Sequence, residues 1–306
     1  MGVVDRDPAA ALRFQKRFGH VRMEGTIAAM LATEPFDVAH ICTPADDHVS
    51  VAIELAAAHK HSLIEKPLSE TAAEARLVAA AFDHSGSLVC PVHQYAFQRG
   101  VDKAIEIMPR LGFINRIAFD IVSAGGGRDE GSFDNIAGEI LPHPLSMLQR
   151  LYPTIRLSDL DWRVVRSGPG EWLVTSTHEH AMIVISTSLA SRPTNFSTRI
   201  SGTQCAIEMN NFHGYAVSLS GVVSRFAKIL QPFVTAERHL VAATANLIGR
   251  AARGEMAYPG LRALVGRFYD AVLHRDAARV PVTTSQMIDL ADAREAILQQ
   301  VGRSHQ

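Results

Sequence analysis

The first ninety residues alternate between short apolar runs and longer stretches with apolar positions every three or four residues. Gly2-Val3-Val4 reads as a strand end. Asp7-Pro8 follows as a cap with proline at the first helical position, Ala9 to Phe18 as the helix, and Gly19 as its stop. Asp37 to Cys42 (DVAHIC) is the next strand, broken by Thr43-Pro44; Val49 to Ala58 is an alanine-rich helix. Ser62-Leu63-Ile64 is a strand, Thr71 to Phe82 a helix, and Ser87 to Val92 a strand again. Strands separated by helices of about ten residues predict a parallel sheet with helices on both faces.

From Ile114 the pattern changes. Arg116 to Val122 alternates as a strand, and further strands are predicted at Trp162 to Arg166, Trp172 to Thr177 and Ala181 to Ser188. Three more follow at Phe196 to Ser201, Cys205 to Asn210 and Ala216 to Leu219, with helices from about Val222. Strands joined by short polar turns predict a mainly antiparallel sheet. The expected fold class is therefore α/β: a Rossmann-type dinucleotide-binding domain over 1–112, then an α+β domain with an open antiparallel sheet over 113–306.

Composition narrows the class. The chain has 306 residues, 47% hydrophobic and 20% charged, with 30 basic against 31 acidic residues and a net charge of -1. That balance favours neither nucleic acid nor an anionic membrane as partner. No apolar run reaches the roughly 18 residues of a membrane span, and the N-terminus MGVVDRDP lacks the form of a secretion signal. A soluble cytoplasmic protein is expected. Cys42, Cys90 and Cys205 fit no zinc or disulfide spacing and read as small buried hydrophobes. His59-x-His61 and His178-x-His180 offer no third ligand, so no metal is expected; the first pair reads as flanking a helix end. Ala124 to Arg128 (AGGGR) reads as a flexible loop.

Ligands of wound parallel sheets bind at the carboxyl ends of strands. Three such ends carry polar groups: Asp5, Thr43-Pro44, and Glu65-Lys66-Pro67. An acid in the place of Asp5 accepts hydrogen bonds from an adenosine ribose, or else serves as a turn residue. Lys66 precedes proline, which extends its backbone; taken alone, it reads equally as half of a solvated ion pair with Glu65.

In order and spacing, TPADDHVSVAIELAAAHKHSLIEKPLSETAAEARLV resembles the glucose-fructose oxidoreductase / inositol dehydrogenase / MocA (Gfo/Idh/MocA) family of nicotinamide-dependent oxidoreductases. It shows a Thr-Pro turn (Thr43-Pro44), a nearby His48, an alanine-rich helix and a strand ending in Glu65-Lys66-Pro67; the C-terminal helices are also similar. The resemblance implies that Asp5 binds the adenosine ribose of NAD, with Arg6 able to tolerate the 2′-phosphate of NADP. It implies cofactor contacts for Thr43, Pro44, His48, Glu65, Lys66 and Pro67, with Glu65 on the nicotinamide-side ribose. Lys66 would handle the substrate proton beside the nicotinamide. Gln94 falls where the family often has an amide near the ring, and a turn or capping role suits it equally.

In AGEILPHPLSML the resemblance makes His143 the proton acceptor or a relay partner of Lys66, with Glu139 as its carboxylate. Ser146 stands where the family often has another acid. Pro142 and Pro144 are expected to interrupt the helix and leave His143 at a cap. The implied activity is hydride transfer between NAD(P) and a hydroxyl-bearing carbon of a sugar, cyclitol or polyol, by a homodimer or homotetramer that uses one sheet face as interface. A non-catalytic nucleotide or sugar sensor on the same scaffold is the alternative.

One signature is absent. No G-x-G-x-x-G occurs in the chain, and the acidic residue that should follow it is already Asp5. The dinucleotide domain thus reads as N-terminally truncated, without its first strand and glycine turn. A misplaced start, a natural derivative and completion by another chain all fit, and weak NAD binding is expected.

Overall fold

A computed structural model describes residues 1–33, 35–123, 130–221, 224–255 and 258–303. The AGGGR run at 124–128 lies outside them. The chain divides into two compact units, Met1–Pro91 with Asp270–Thr284, and Val92–Tyr269 with Ser285–Gln306. The sequence had suggested one boundary, between 112 and 113.

In the first unit, strand β1 (Gly2–Val4) leads to helix α1 (Pro8–Phe18), then β2 (Arg22–Glu24), α2 (Ile27–Thr33), β3 (Val38–Ile41), α3 (Ala45–Ala57), β4 (His61–Ile64), α4 (Ala72–Ser85) and β5 (Val89–Pro91). Local signals set the helix ends. The Asp7 side chain accepts from Ala9 N with Pro8 next, and Gly19 ends α1 at φ 84°. Thr71 and Glu74 form a capping box at α4. All strand pairs are parallel, but they form two separate sheets, β1-β2 and β3-β4-β5. The second sheet carries the unit's core: Leu63, Ile64 and Cys90 are buried, as the inner strands of a covered parallel sheet should be. In β1 only Val3 is even half-covered.

The second unit holds a seven-stranded sheet. Its strands are β6 (Ile114–Val122), β7 (Arg163–Gly168), β8 (Glu171–His178), β9 (Ala181–Ser188), β10 (Asn195–Gly202), β11 (Cys205–Asn210) and β12 (Tyr215–Ser220). Their order is β12-β11-β10-β6-β9-β8-β7, antiparallel except for β6 with β9. Ile117, Phe119 and Ile121 of β6 are buried and alternate with exposed or half-buried positions. Helix α5 (Arg99–Ile107), α6 (Phe133–Ile140) and α7 (Pro142–Leu151) precede the hairpins, and α8 (Arg225–Ala252), α9 (Leu261–His274) and α10 (Thr284–Arg303) close the chain.

Two carboxylates, Asp134 half-buried and Asp289 buried, tie distant segments of this unit together. Asp134 of α6 accepts from Arg166 Nη2 (2.8 Å), Gly170 N (2.8 Å) and Trp172 Nε1 (2.9 Å). Asp289 of α10 accepts from Leu157 N, Ser158 N and Oγ, and Gln149 Nε2. Desolvation works against the Asp134 charge, but its hydrogen bonds and the Arg166 cation hold the carboxyl at about 2. A depressed folded pKa stabilises above the unfolded value near 3.9 and is lost as pH falls toward the folded one. Asp134→Asn should therefore cost about 2 kcal/mol at pH 7. Denaturant titrations at pH 7 and pH 3 check this: the gap from wild type should shrink at the lower pH, and an equal gap at both contradicts the assignment.

Candidate functional site

The carboxyl ends of β3 and β4 bring together most residues that the sequence singled out. Glu65 N donates to Ile41 O at 3.0 Å, which holds the two strand ends side by side. Thr43 and Pro44 turn the chain into α3, with Pro44 at its cap position. From the first turns of α3, His48 reaches back across this corner, 1% exposed. Its Nδ1 lies 2.7 Å from Pro67 O and its Nε2 2.9 Å from Thr43 O. His48 thus bolts the Thr43-Pro44 turn to the segment carrying Lys66. The sequence placed it in the cofactor set; its structural role is to fix the residues around it. The Lys66–Pro67 peptide is cis.

Lys66 is half-buried, and no carboxylate pairs with its ammonium among the described residues. Glu65 instead turns an oxygen toward the Lys66 amide, at 3.4 Å. The solvated Glu65–Lys66 ion pair, the bland reading of this stretch, is not formed. Cys42 corrects the expectation of a buried hydrophobe: it is exposed at the end of β3, where partial desolvation and the Glu65 carboxylate push its thiol pKa up. Cys90 is buried as expected and Cys205 is half-buried.

Asp5, at the end of β1, is half-buried; its Oδ1 accepts from Asp7 N at 2.8 Å. It therefore fills the turn role and leaves a second oxygen for a ligand. Arg6 pairs with Asp47 in the first turn of α3, an ion pair linking the ends of the two sheets. Two other histidines of this unit make structural hydrogen bonds. His59 Nδ1 lies 3.0 Å from Ser85 O, and His61, inside β4 rather than at a helix end, accepts from Leu88 N at 2.8 Å. Among the described residues no cluster of His, Cys, Asp and Glu could hold a metal ion.

In the second unit, Gln94 opens a short 3-10 turn, Gln94–Phe97. Its amide oxygen is buried without a hydrogen-bond partner among the described residues, as is His93 Nδ1. Burial pushes His93 down to about 4, so this ring is neutral at physiological pH. Gly260 at φ +90° is packed against the same turn, where a Cβ would stand 2.1 Å from the Gln94 carbonyl oxygen. Tyr95 was not singled out by the sequence, having no motif of its own. Its ring meets His143 edge-on at 4.6 Å and Phe196 at 5.1 Å, and desolvation raises its pKa.

His143 itself departs from expectation. It is the second residue of α7 and not a cap, because Pro142 takes the first helical position, where a missing N–H costs nothing. Leu141 keeps helical angles (φ -50°, ψ -37°), and Leu145 N donates to its carbonyl, so α6 runs almost unbroken into α7. Glu139 and His143, four residues apart, consequently share one helical face. Ser146 Oγ donates back to His143 O at 2.9 Å. Lys66 lies in the first unit and His143 in the second.

In the first unit, Asp5 and Glu65 offer carboxylate acceptors at strand ends that fit the ribose hydroxyls of a nicotinamide dinucleotide. They do not fit its pyrophosphate. An anion site needs open amides at a helix N-terminus. Here α1 is capped by Asp7, α4 by Thr71, and the first turn of α3 carries Asp46 and Asp47.

A parallel nucleotide-type unit is followed by a unit built on a large, mainly antiparallel sheet. Residues 1–93 match the GFO_IDH_MocA model, described as an oxidoreductase family with an NAD-binding Rossmann fold. A curated relative, provisionally named the UDP-kanosamine synthase oxidoreductase subunit of Amycolatopsis mediterranei (strain S699), is 29% identical over 126 residues. That match takes in 41% of this chain and 34% of the relative, so it spans about a third of the relative's length. Among solved structures, the UDP-N-acetylglucosamine 3-dehydrogenase of Acidithiobacillus ferrooxidans superposes with a TM-score of 0.73 at 14% identity, covering 100% of this chain and 90% of that one. The WlbA dehydrogenase of Bordetella pertussis, in complex with NADH and UDP-GlcNAcA, gives 0.71 at 17% identity, with 99% and 88% covered. At these identities the likeness is one of fold. No helix among the described residues is long and apolar enough to cross a membrane.

Proposed function

We propose that this protein is an NAD(P)-dependent oxidoreductase acting on a hydroxyl-bearing carbon of a sugar, cyclitol or polyol, with sugar nucleotides as the first class to test. The observation that carries this is the His48 bolt, which sets Lys66, free of any ion pair among the described residues, at a strand end of an NAD-binding fold. The names of the relative and of the two structures above supply the sugar-nucleotide class.

When bound, the nicotinamide accepts or donates the hydride. Asp5 and Glu65 would accept from its ribose hydroxyls. Lys66 takes the hydroxyl proton during oxidation or returns it during reduction, general acid–base work worth about 10²- to 10⁴-fold in rate. In the second unit, His143 stands with Glu139 on its own helical face and Tyr95 against its ring. NAD is favoured over NADP because Arg6 is engaged by Asp47.

The lack of a pyrophosphate cradle on the described residues favours one competing reading, a sugar or nucleotide sensor without turnover. Calorimetric titration followed by an absorbance screen separates the two. The expected result is millimolar NAD+ affinity, with turnover of at least one UDP-sugar or polyol at millimolar cofactor. Cofactor binding with no turnover across the panel favours the sensor, and micromolar NAD+ affinity contradicts the reading of the pyrophosphate end.

A further inference from the structure

Helix α8 is built inside out. At 28 residues it is about 42 Å long. It meets its own domain through polar contacts: His239 Nε2 lies 3.0 Å from Glu208 Oε2, Asn246 Nδ2 donates to His213 O at 2.8 Å, and Arg250 donates to the same carbonyl at 3.2 Å. Arg238 donates to Ser218 O of β12. The apolar residues point the other way. Phe226 is 81% exposed, Phe233 73% and Leu240 69%. From Arg225 to Val234 every described side chain is exposed, so the first ten residues of the helix lean on nothing of their own domain among the described residues. Isolated helical segments of that length are marginal in water.

The exposed residues are patterned. Phe226, Phe233, Leu240 and Leu247 recur at steps of seven; Val234, Val241 and Ile248 repeat the same step one position later. Ile229 and Leu230 fill the flanks of the first turns. At about 100° per residue all nine fall within an arc of about 140°, opposite the docked face, with Glu237 and Thr244 as its main polar interruptions. A lipid surface asks only for an apolar face. A repeat of seven sustained over three steps is the spacing that packs one helix along another.

We propose that this seam is where a second copy of the chain binds, the two α8 helices packing side by side about a two-fold axis. A two-fold contact uses the same patch on both partners, and the seam presents like to like. Its nine side chains offer about 1,000 Å² of apolar surface, against about 800 Å² per partner in a standard stable interface and at most about 600 Å² for the largest patch of a typical monomer. Glu237 lies midway between Phe226 and Ile248, so the two-fold axis brings the two copies of this residue near each other. One polar residue in an apolar seam fixes register at a cost in affinity.

Sedimentation velocity on the full chain tests this. The wild type should sediment as a dimer, and Phe233→Glu/Leu240→Glu should raise the dissociation constant about a hundredfold or more while leaving the far-ultraviolet circular dichroism unchanged. Glu237→Leu, which removes the central charge, should tighten the dimer about tenfold and so provides a test that does not depend on a disrupted variant folding. A monomeric wild type overturns the proposal. So does a double variant that keeps the wild-type oligomeric state, a Glu237→Leu chain no tighter than wild type, or a monomer that co-sediments with phosphatidylcholine/phosphatidylglycerol vesicles.

Discussion

Lys66→Ala should lower kcat by about 10²- to 10⁴-fold while changing cofactor affinity by no more than about threefold. The reason lies at the end of β4. Glu65 is turned back toward the backbone, so the ammonium is left without an anion among the described residues and its protons are available to a substrate. Lys66→Arg should be nearly as inactive, since a guanidinium keeps its proton at any working pH and spreads its charge over a plane. Steady-state kinetics on purified variants, at saturating substrate and millimolar cofactor, provide the check. An Ala variant within about fivefold of wild-type kcat removes Lys66 from proton transfer.

His48→Ala should both destabilise the first unit and slow the enzyme. Deleting a buried ring packed between two carbonyl oxygens leaves a cavity and strips the oxygen that takes its N–H of a donor, for a combined cost of about 3 kcal/mol. It also frees the segment that aims Lys66, and a misplacement of about 1 Å can cost about a hundredfold in rate. His48→Gln keeps one donor at similar reach and should recover part of both losses. A thermal melt read beside kcat/KM distinguishes this role from direct cofactor contact: a contact alone would raise the cofactor KM and leave the melt unchanged.

Much of the first unit is legible from local chemistry. Asp7, Pro8 and Gly19 punctuate α1, and Thr71 with Glu74 starts α4. Strand β2 and helix α2 were not predicted. Arg22-Met23-Glu24 is too short and too polar to show a strand period, and α2 is only seven residues long. The alternating strands of the second unit were read closely, yet their order was not, because register and neighbours follow from long-range pairing. Pro142 misled because proline breaks a helix interior but suits its first turn. His48 was visible as part of a motif, but that its ring ties two carbonyls depends on burial, which no spacing reports. The stripe on α8 shows which residues share a face; that the polar face is the docked one appears only in the folded chain.

The parallel strands of the first unit lie in two separate sheets, β1-β2 and β3-β4-β5. The strand ends that would hold the riboses are present, whereas each described helix start beside them is already capped or acidic. Weak cofactor binding with intact proton chemistry is the combination this predicts.

Hydride transfer is the central claim, and isotope transfer tests it most directly. NADH carrying deuterium at nicotinamide C4 is incubated at millimolar concentration with the protein and a panel of keto sugars and keto sugar nucleotides, and the products are weighed by mass spectrometry. The account predicts deuterium on the new carbinol carbon of at least one product, and none with Lys66→Ala. Deuterium in no product of the panel, or the same yield from the Lys66→Ala chain, would contradict it.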